Sequence, residues 1–247
     1  MSARGWALVT GAGRRIGATL ALAAARTGYD VVVHHLSSAE AAAETAKRVE
    51  TLGRAALTAR ADLASHANCL RLVAEAPSPL TLLVNCASVF EDDREGRFDL
   101  ERYEAAMAVN LRAPLILADA MARALPAGRE GLIVNILDQR VWRLTPRFFS
   151  YTLSKSALWT ATRTLAQALA PSIRVNAIGP GPTLPSTHQS EATFGAQARA
   201  TPLGHAPTVE EMGEALAYLI EARSVTGQMI AVDSGQHLAW RTPDADE

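Results

Sequence analysis

Cysteine is nearly missing from this sequence, with only Cys69 and Cys86 among 247 residues. The pair has neither metal-ligand spacing nor the makings of a disulfide framework, so both read as small buried side chains and no metal is expected. An excess of one charge is missing too. Lys plus Arg number 24 against 25 Asp plus Glu, and no block of like charge stands out. That leaves no footprint for nucleic acid or a membrane surface. No uninterrupted apolar run approaches the ~18 residues that span a bilayer. The few polar residues before Trp6 are too short for the charged and apolar regions of a secretion signal. The expected location is therefore the cytoplasm. Tandem repeats and low-complexity linkers are absent; only the polar tail Thr242 to Glu247 is expected to fray.

What is present is a chain with 49% hydrophobic and 20% charged residues, long enough to bury one substantial core. It reads as one α/β domain over 1–247. Apolar or β-branched runs at 6–10, 30–34, 55–60, 80–85, 131–137, 173–178 and 228–232 predict seven strands. Between them, helical spacing covers about 15–28, 38–52, 65–76, 99–125, 151–170 and 208–222, with Gly28 and Gly53 as helix-ending residues. Such βαβ alternation predicts a doubly wound, Rossmann-type parallel sheet, whose ligands bind outside the C-terminal ends of the strands.

The first strand runs into Thr10-Gly11-Ala12-Gly13-Arg14-Arg15-Ile16-Gly17 and then a helix. Glycines there let backbone approach a pyrophosphate, and the helix N-terminus meets its charge; tight strand–helix packing would ask for the same glycines. The second strand ends in His34-His35-Leu36-Ser37-Ser38, without the acid that holds an NAD ribose hydroxyl. NADP(H) is the expected cofactor, with Arg15, Ser37 and Ser38 placed for a 2′-phosphate. Ser37 with Glu40 also makes a capping box for the second helix. Asp62-Leu63 can touch an adenine edge, or Asp62 can cap the next helix.

The sequence Phe149-Ser150-Tyr151-Thr152-Leu153-Ser154-Lys155 opens a long Ala/Leu-rich helix. Residues i and i+4 share a helix face about 5–6 Å apart, so a phenol sits beside an ammonium. The cation is expected to favour the phenolate and draw the tyrosine pKa down from ~10 toward neutrality. The segment Pro180 to Pro207, rich in Pro and Gly, reads as a substrate-covering loop over about 179–207.

Taken together, Thr10–Gly17, Asp62-Leu63, Asn85-Cys86-Ala87-Ser88, Asn110, Tyr151-x-x-x-Lys155 and Arg174-Val175-Asn176 leading to Pro180-Gly181 make the whole chain resemble a short-chain dehydrogenase/reductase. The resemblance implies Tyr151 as general acid/base, Lys155 as its partner on the nicotinamide ribose, and Asn110 as support for a water relay. It implies cofactor contacts from Gly11, Arg14, Arg15, Ile16, Gly17, His35, Ser37, Ser38, Asp62, Leu63, Asn85, Ala87, Tyr151, Lys155, Pro180 and Gly181. It also implies a homotetramer built through the 99–125 and 151–170 helices and the last strand.

Three features resemble the pteridine reductase branch, including its dihydromonapterin reductase-like members. Arg15 replaces the middle glycine of the usual turn. Asp138 stands where most members carry a serine, and an ionised carboxylate accepts or relays a proton rather than donating one. Phe90 follows Asn85–Ser88. That branch implies an NADPH-dependent reduction of a dihydropterin, dihydromonapterin or dihydrofolate, with Ser88, Phe90, Asp138 and Tyr151 on the substrate. Asp138 read as an ordinary strand-end residue, and Phe90 as loop packing, lead instead to a carbonyl reductase or alcohol dehydrogenase. A dinucleotide-binding regulator without catalysis is the non-enzymatic alternative, opposed by Asn110, Tyr151 and Lys155. Leu36 and Ser37 depart from the branch's more polar residues, and Cys86 replaces the family's second asparagine.

Overall fold

The computed structural model describes residues 4–93, 98–185 and 189–240. The seven apolar runs form β1 (Trp6–Val9), β2 (Asp30–His35), β3 (Ala56–Arg60), β4 (Leu80–Asn85), β5 (Gly131–Ile136), β6 (Ile173–Pro180) and β7 (Met229–Val232). All pair in parallel, in the order β3-β2-β1-β4-β5-β6-β7. The direction of winding reverses between β1 and β4, which opens a crevice at their C-terminal ends. β4 and β5 are buried along their whole length, as parallel strands covered on both faces must be.

The helices are α1 (Arg15–Arg26), α2 (Ala39–Thr51), α3 (His66–Ala74), α4 (Leu100–Ala106), α5 (Ala113–Ala124), α6 (Phe149–Ala168), α7 (Glu191–Arg199) and α8 (Val209–Glu221). Strand alternation sends Ala7, Val9, Val31, Val33, Leu82 and Val84 into one core with Leu20, Met212 and Leu216. Leu8, Val32, Leu83 and Ile133 face the other way, against Cys69, Leu117 and Met121. Cys69 is thus a buried core residue, whereas Cys86 is half-buried.

Four expectations are corrected. The 99–125 helix is interrupted by a π segment, Met107–Arg112, between α4 and α5. The expected loop of 179–207 begins with two further residues of β6 and contains α7, capped by Ser190 Oγ accepting from Thr193 N; residues 186–188 lie outside the described residues. Ser37 and Glu40 make no capping box: Ser38 starts α2 without a side-chain cap, and the box belongs to Thr208 and Glu211 of α8. Asp62 does not cap α3, because Ser65 does; Asp62 accepts from Ala64 N in a local turn instead. The polar tail 242–247 lies outside the described residues.

Leu100–Ala124 is long and apolar enough by composition to cross a membrane, but 44% of its most apolar window is buried inside this fold. Its apolar positions serve the core: Leu117 and Met121 are fully buried. Arg174 and Asn176 are structural. Arg174 donates to the last carbonyls of α8, and Asn176 binds Val225 O and Gln228 N, fixing the approach to β7.

Candidate active site

The crevice between the C-terminal ends of β1 and β4 is closed by short-range hydrogen bonds. Thr10 Oγ1 accepts from Cys86 N at 2.9 Å and Ala87 N at 3.0 Å, tying the first strand's turn to the residues after β4. Gly11 has φ +66°, and a Cβ there would stand 3.0 Å from Ala87 Cα. At Gly17 a Cβ would meet Gly11 O at 2.2 Å. Only glycine permits that closure. Arg15 also takes a left-handed conformation, φ 55°. The backbone demands what the usual glycine supplies, yet an arginine stands there, at a strain of about 1–3 kcal/mol. Such a substitution points to a use for the guanidinium.

The resulting cleft, about 560 Å³, is lined by Gly11, Arg14, Arg15, Ile16, Gly17, His35, Ser37, Ser38, Asp62, Leu63, Ala87, Ser88 and Phe90. Asp138, Tyr151, Lys155, Pro180 and Gly181 complete its far wall. These residues fit a 2′-phosphorylated dinucleotide: the glycine turn leads into the N-terminus of α1 on the cleft wall, where backbone N–H groups can meet a pyrophosphate, and Arg14, Arg15, Ser37 and Ser38 line the same cleft. Arg15 Nη2 donates to Pro185 O at 3.0 Å, so the same guanidinium bridges to the segment after β6.

Asn85 and Asn110 lie behind this wall rather than in it. Asn85 Nδ2 donates to Asn135 Oδ1, and Asn135 Nδ2 donates to Thr162 Oγ1, a buried chain that seats α6 on the sheet. Asn110, fully buried in the π segment, accepts from Val89 N and Ser88 Oγ and donates to Val89 O and Ser154 Oγ. Its side chain is a clamp that holds the Ser88 loop against α6. No free side-chain atom is left on it for a water relay.

Tyr151 and Lys155 project from successive turns of α6, as their spacing requires. Tyr151 Oη donates to Asp138 Oδ2 at 3.0 Å, while Asp138 Oδ1 accepts from Arg140 N at 2.8 Å. Lys155, 2% exposed, donates from Nζ to Ile136 O at 2.8 Å. Burial lowers the lysine to about 8, against the favourable charges of Cys86 and Asp138. Burial raises the Asp138 carboxyl, opposed by the Arg140 charge and the bonds from Arg140 N and Tyr151. The expectation that Lys155 draws Tyr151 down is corrected: burial first, then the neighbouring Asp138 charge, push the phenol well above its ordinary value. The ammonium is turned to the Ile136 carbonyl, 5.7 Å from the tyrosine ring centroid. The carboxylate, not the lysine, is the phenol's direct partner.

Beyond Phe90 the cleft widens into an outer chamber of about 1750 Å³ that shares Phe90, Asp138, Pro180, Gly181 and Leu184 with the inner one. Phe148 stacks on one face of Phe90, centroids 4.3 Å apart and planes at 10°, while Tyr151 meets it at 84°. Sequence reasoning missed Phe148, Gln139 and Arg140 in this chamber, and His34, Val109, Thr183 and Leu184 in the inner one. The adjacency of Gln139 and Arg140 to Asp138 was the available signal; for Phe148 there was none, because its φ of 56° is set by tertiary packing.

Over residues 11–237 the chain matches the family model described as enoyl-(acyl carrier protein) reductase. A relative from Picea abies, a short-chain type dehydrogenase/reductase, is 31% identical across 93% of this chain and 91% of its own. The chain belongs to the short-chain dehydrogenase/reductase family. The reductase is also similar to dihydromonapterin reductase from Klebsiella pneumoniae, 30% identical over 94% of this chain and 96% of that one. Among solved structures, it matches FolM alternative dihydrofolate reductase 1 from Brucella suis in complex with NADP. The two are 50% identical over 99% of each chain, with a TM-score of 0.94.

Proposed function

We propose that this oxidoreductase uses NADPH to reduce a C=N bond of a pterin-type substrate: a dihydropterin, dihydromonapterin or dihydrofolate. The observation that carries this reading is the hydrogen bond from Tyr151 Oη to Asp138 Oδ2. A carboxyl group stands where a carbonyl reductase needs a hydroxyl donor, and a ring nitrogen needs a proton that a carboxyl raised by burial can hold. NADPH, when bound, supplies the hydride that goes to the C=N carbon. The nitrogen takes its proton through the hydrogen-bonded Tyr151–Asp138 pair, and a proton from solvent restores the pair after each turnover, so neither group is left ionised differently from its starting state. Lys155 keeps a cation at the base of the pair. The chamber beyond Phe90 takes the substrate's flat ring system, and Arg15 with Ser37 and Ser38 takes the cofactor's 2′-phosphate. The likeness to the Brucella and Klebsiella enzymes supports the same substrate class.

The test is NADPH oxidation with 7,8-dihydropterin, 7,8-dihydromonapterin, 7,8-dihydrofolate and a panel of small ketones. Turnover of the reduced pterins with little ketone reduction is expected, and Asp138→Ser should lower the former without weakening NADPH binding. Ketone turnover by the wild type with no pterin turnover at saturating NADPH replaces this reading with the carbonyl reductase.

The assembly in this proposal is a homotetramer. Leu117 and Leu158 are fully buried, but Leu111, Leu115, Leu165 and Leu169 of the same helices are half-buried and keep apolar surface for a partner copy. Light scattering at micromolar concentration should give four chains; a monomer contradicts it.

A further inference from the structure

His34 sits on β2, one residue before its end, 2% exposed, and lines the inner cleft. Its ring reaches in two directions. Nδ1 accepts from Gly11 N at 3.1 Å, and Nε2 lies 3.1 Å from Ala61 O. An amide can only donate and a carbonyl can only accept, so the pair of contacts fixes one neutral tautomer, with the proton on Nε2. Gly11 opens the phosphate-binding turn; Ala61 leads into Asp62-Leu63 on the opposite side of the same cleft. The backbone of β2 repeats the tie on each side, with Ala12 N donating to His34 O and Ala61 N to His35 O. The imidazole is thus the one side chain in the described hydrogen-bond pattern that joins the turn after β1 to the loop after β3.

We propose that His34 is a positioning residue for the cofactor: its neutral ring holds the phosphate turn and the 61–63 loop at the separation that NADPH requires. It acts through Gly11 and Ala61, so its removal should weaken cofactor binding and leave the chemical step alone. The proposal concerns NADPH only and stands or falls independently of the pterin substrate.

The experiment is direct fluorescence titration of NADPH, without substrate, on the wild type and three variants, with thermal unfolding of each. His34→Leu removes both bonds. His34→Asn keeps an acceptor near the Nδ1 position and loses reach to Ala61; His34→Gln reaches Ala61 and loses the Gly11 acceptor. Because both bonds exist in the free protein, their loss acts on Kd by releasing the turn and loop from the binding geometry; a rise of roughly tenfold for His34→Leu is expected, bounded above by the worth of the two bonds. His34→Asn should recover part of that loss, more than His34→Gln, because Gly11 opens the glycine turn that lines the cleft. At saturating NADPH, kcat of the variants should stay within about twofold of the wild type, as for a loss confined to binding. A His34→Leu Kd within twofold of the wild type overturns the proposal. Should that variant fail to fold, the Asn and Gln variants decide: tighter binding by Asn supports it, and equal affinities overturn it.

Discussion

The inner and outer halves of the cleft are built by different physics. The inner half is closed by backbone and fixed by short hydrogen bonds: Thr10 Oγ1 on two amides, His34 between two loops, and glycine where a Cβ has no room. The outer half is aromatic packing and charge. Phe148 is stacked on Phe90 with an arginine beside both, and Asp93 Oδ1, Gln139 Oε1 and Arg140 Nε are buried without a partner. The inner wall carries one such atom too, His35 Nδ1, but its turn and loops are tied to one another by hydrogen bonds, which suits a ligand of constant shape. A wall with unsatisfied polar atoms and a strained aromatic can be re-specified by a few substitutions.

The two halves meet at Tyr151, so its loss should produce the largest effect. Tyr151→Phe keeps the ring against Phe90 and removes only the hydroxyl that donates to Asp138. Turnover should fall by ~10²–10⁴-fold, while NADPH binding measured by fluorescence stays unchanged. If more than half of the wild-type kcat survives, Tyr151 takes no part in the proton transfer. Next in size is Arg15→Gly, confined to the inner half. Glycine suits a φ of 55° better than arginine, so the melting temperature should hold or rise. The NADPH preference over NADH should nonetheless drop by roughly ten- to hundredfold, the worth of a charged hydrogen bond of about 1.5–3 kcal/mol. An unchanged kcat/KM ratio for the two cofactors would remove Arg15 from the phosphate site.

The sequence made the inner half legible because its rules are local. The glycine spacing, the missing acid after β2 and the Tyr151–Lys155 register each follow from two or three neighbouring residues, and all seven strands follow from runs of apolar residues. Asn110 was legible as a family position, but its task as a clamp on Ser88 and Val89 depends on a π segment that no helical periodicity announces. The direction of the tyrosine shift was misread for the same reason. Sequence spacing puts Lys155 beside Tyr151, whereas the carboxylate that governs the phenol arrives from β5, thirteen residues away. Phe148 and α7 were illegible because one is set by tertiary packing and the other lies in a stretch whose Pro and Gly content masks its helical spacing.

A smaller effect comes from pH. Lys155 is lowered to about 8 from 10.5, so its ammonium is lost as pH rises through 8. Where activity needs that cation, kcat/KM should fall above about pH 8, approaching a tenfold loss per further pH unit. Stability moves the other way. Between pH 8 and 10.5 the unfolded chain holds the lysine proton that the native state has released, so this residue makes the fold more stable as pH rises there. His34, lowered to about 4 from 6.5 by burial, acts at the acid end. Its contribution is complete above pH 6.5 and is lost as pH falls toward 4, because protonation puts a hydrogen on the atom that accepts from Gly11 N. A flat kcat/KM profile from pH 7 to 10 would exclude Lys155 from the working site.

The smallest expected effect is the cleanest test of the outer half. Phe148 has φ 56° and ψ 51° at the start of α6, a left-handed conformation that is rare for a bulky residue. Its carbonyl accepts from Thr152 N at 2.8 Å and its ring covers Phe90, so packing holds the backbone there. Two truncations separate ring from backbone. Both Phe148→Ala and Phe148→Gly lose the stacked pair, worth ~0.5–1.5 kcal/mol beyond the area it buries. Only glycine also relieves the left-handed strain. Phe148→Gly should therefore be more stable than Phe148→Ala by about 1 kcal/mol, the reverse of their order inside an ordinary helix. In both variants the Kd for NADPH should stay near the wild-type value, because the phosphate turn and its hydrogen bonds make no contact with this ring, which reaches the inner wall only through Phe90, while KM for the substrate changes. Chemical denaturation of the pair reads the first outcome and NADPH titration the second. If the alanine variant is the more stable one, the strain assigned to Phe148 is wrong; if cofactor affinity moves with it, the two halves of the cleft are one mechanical unit.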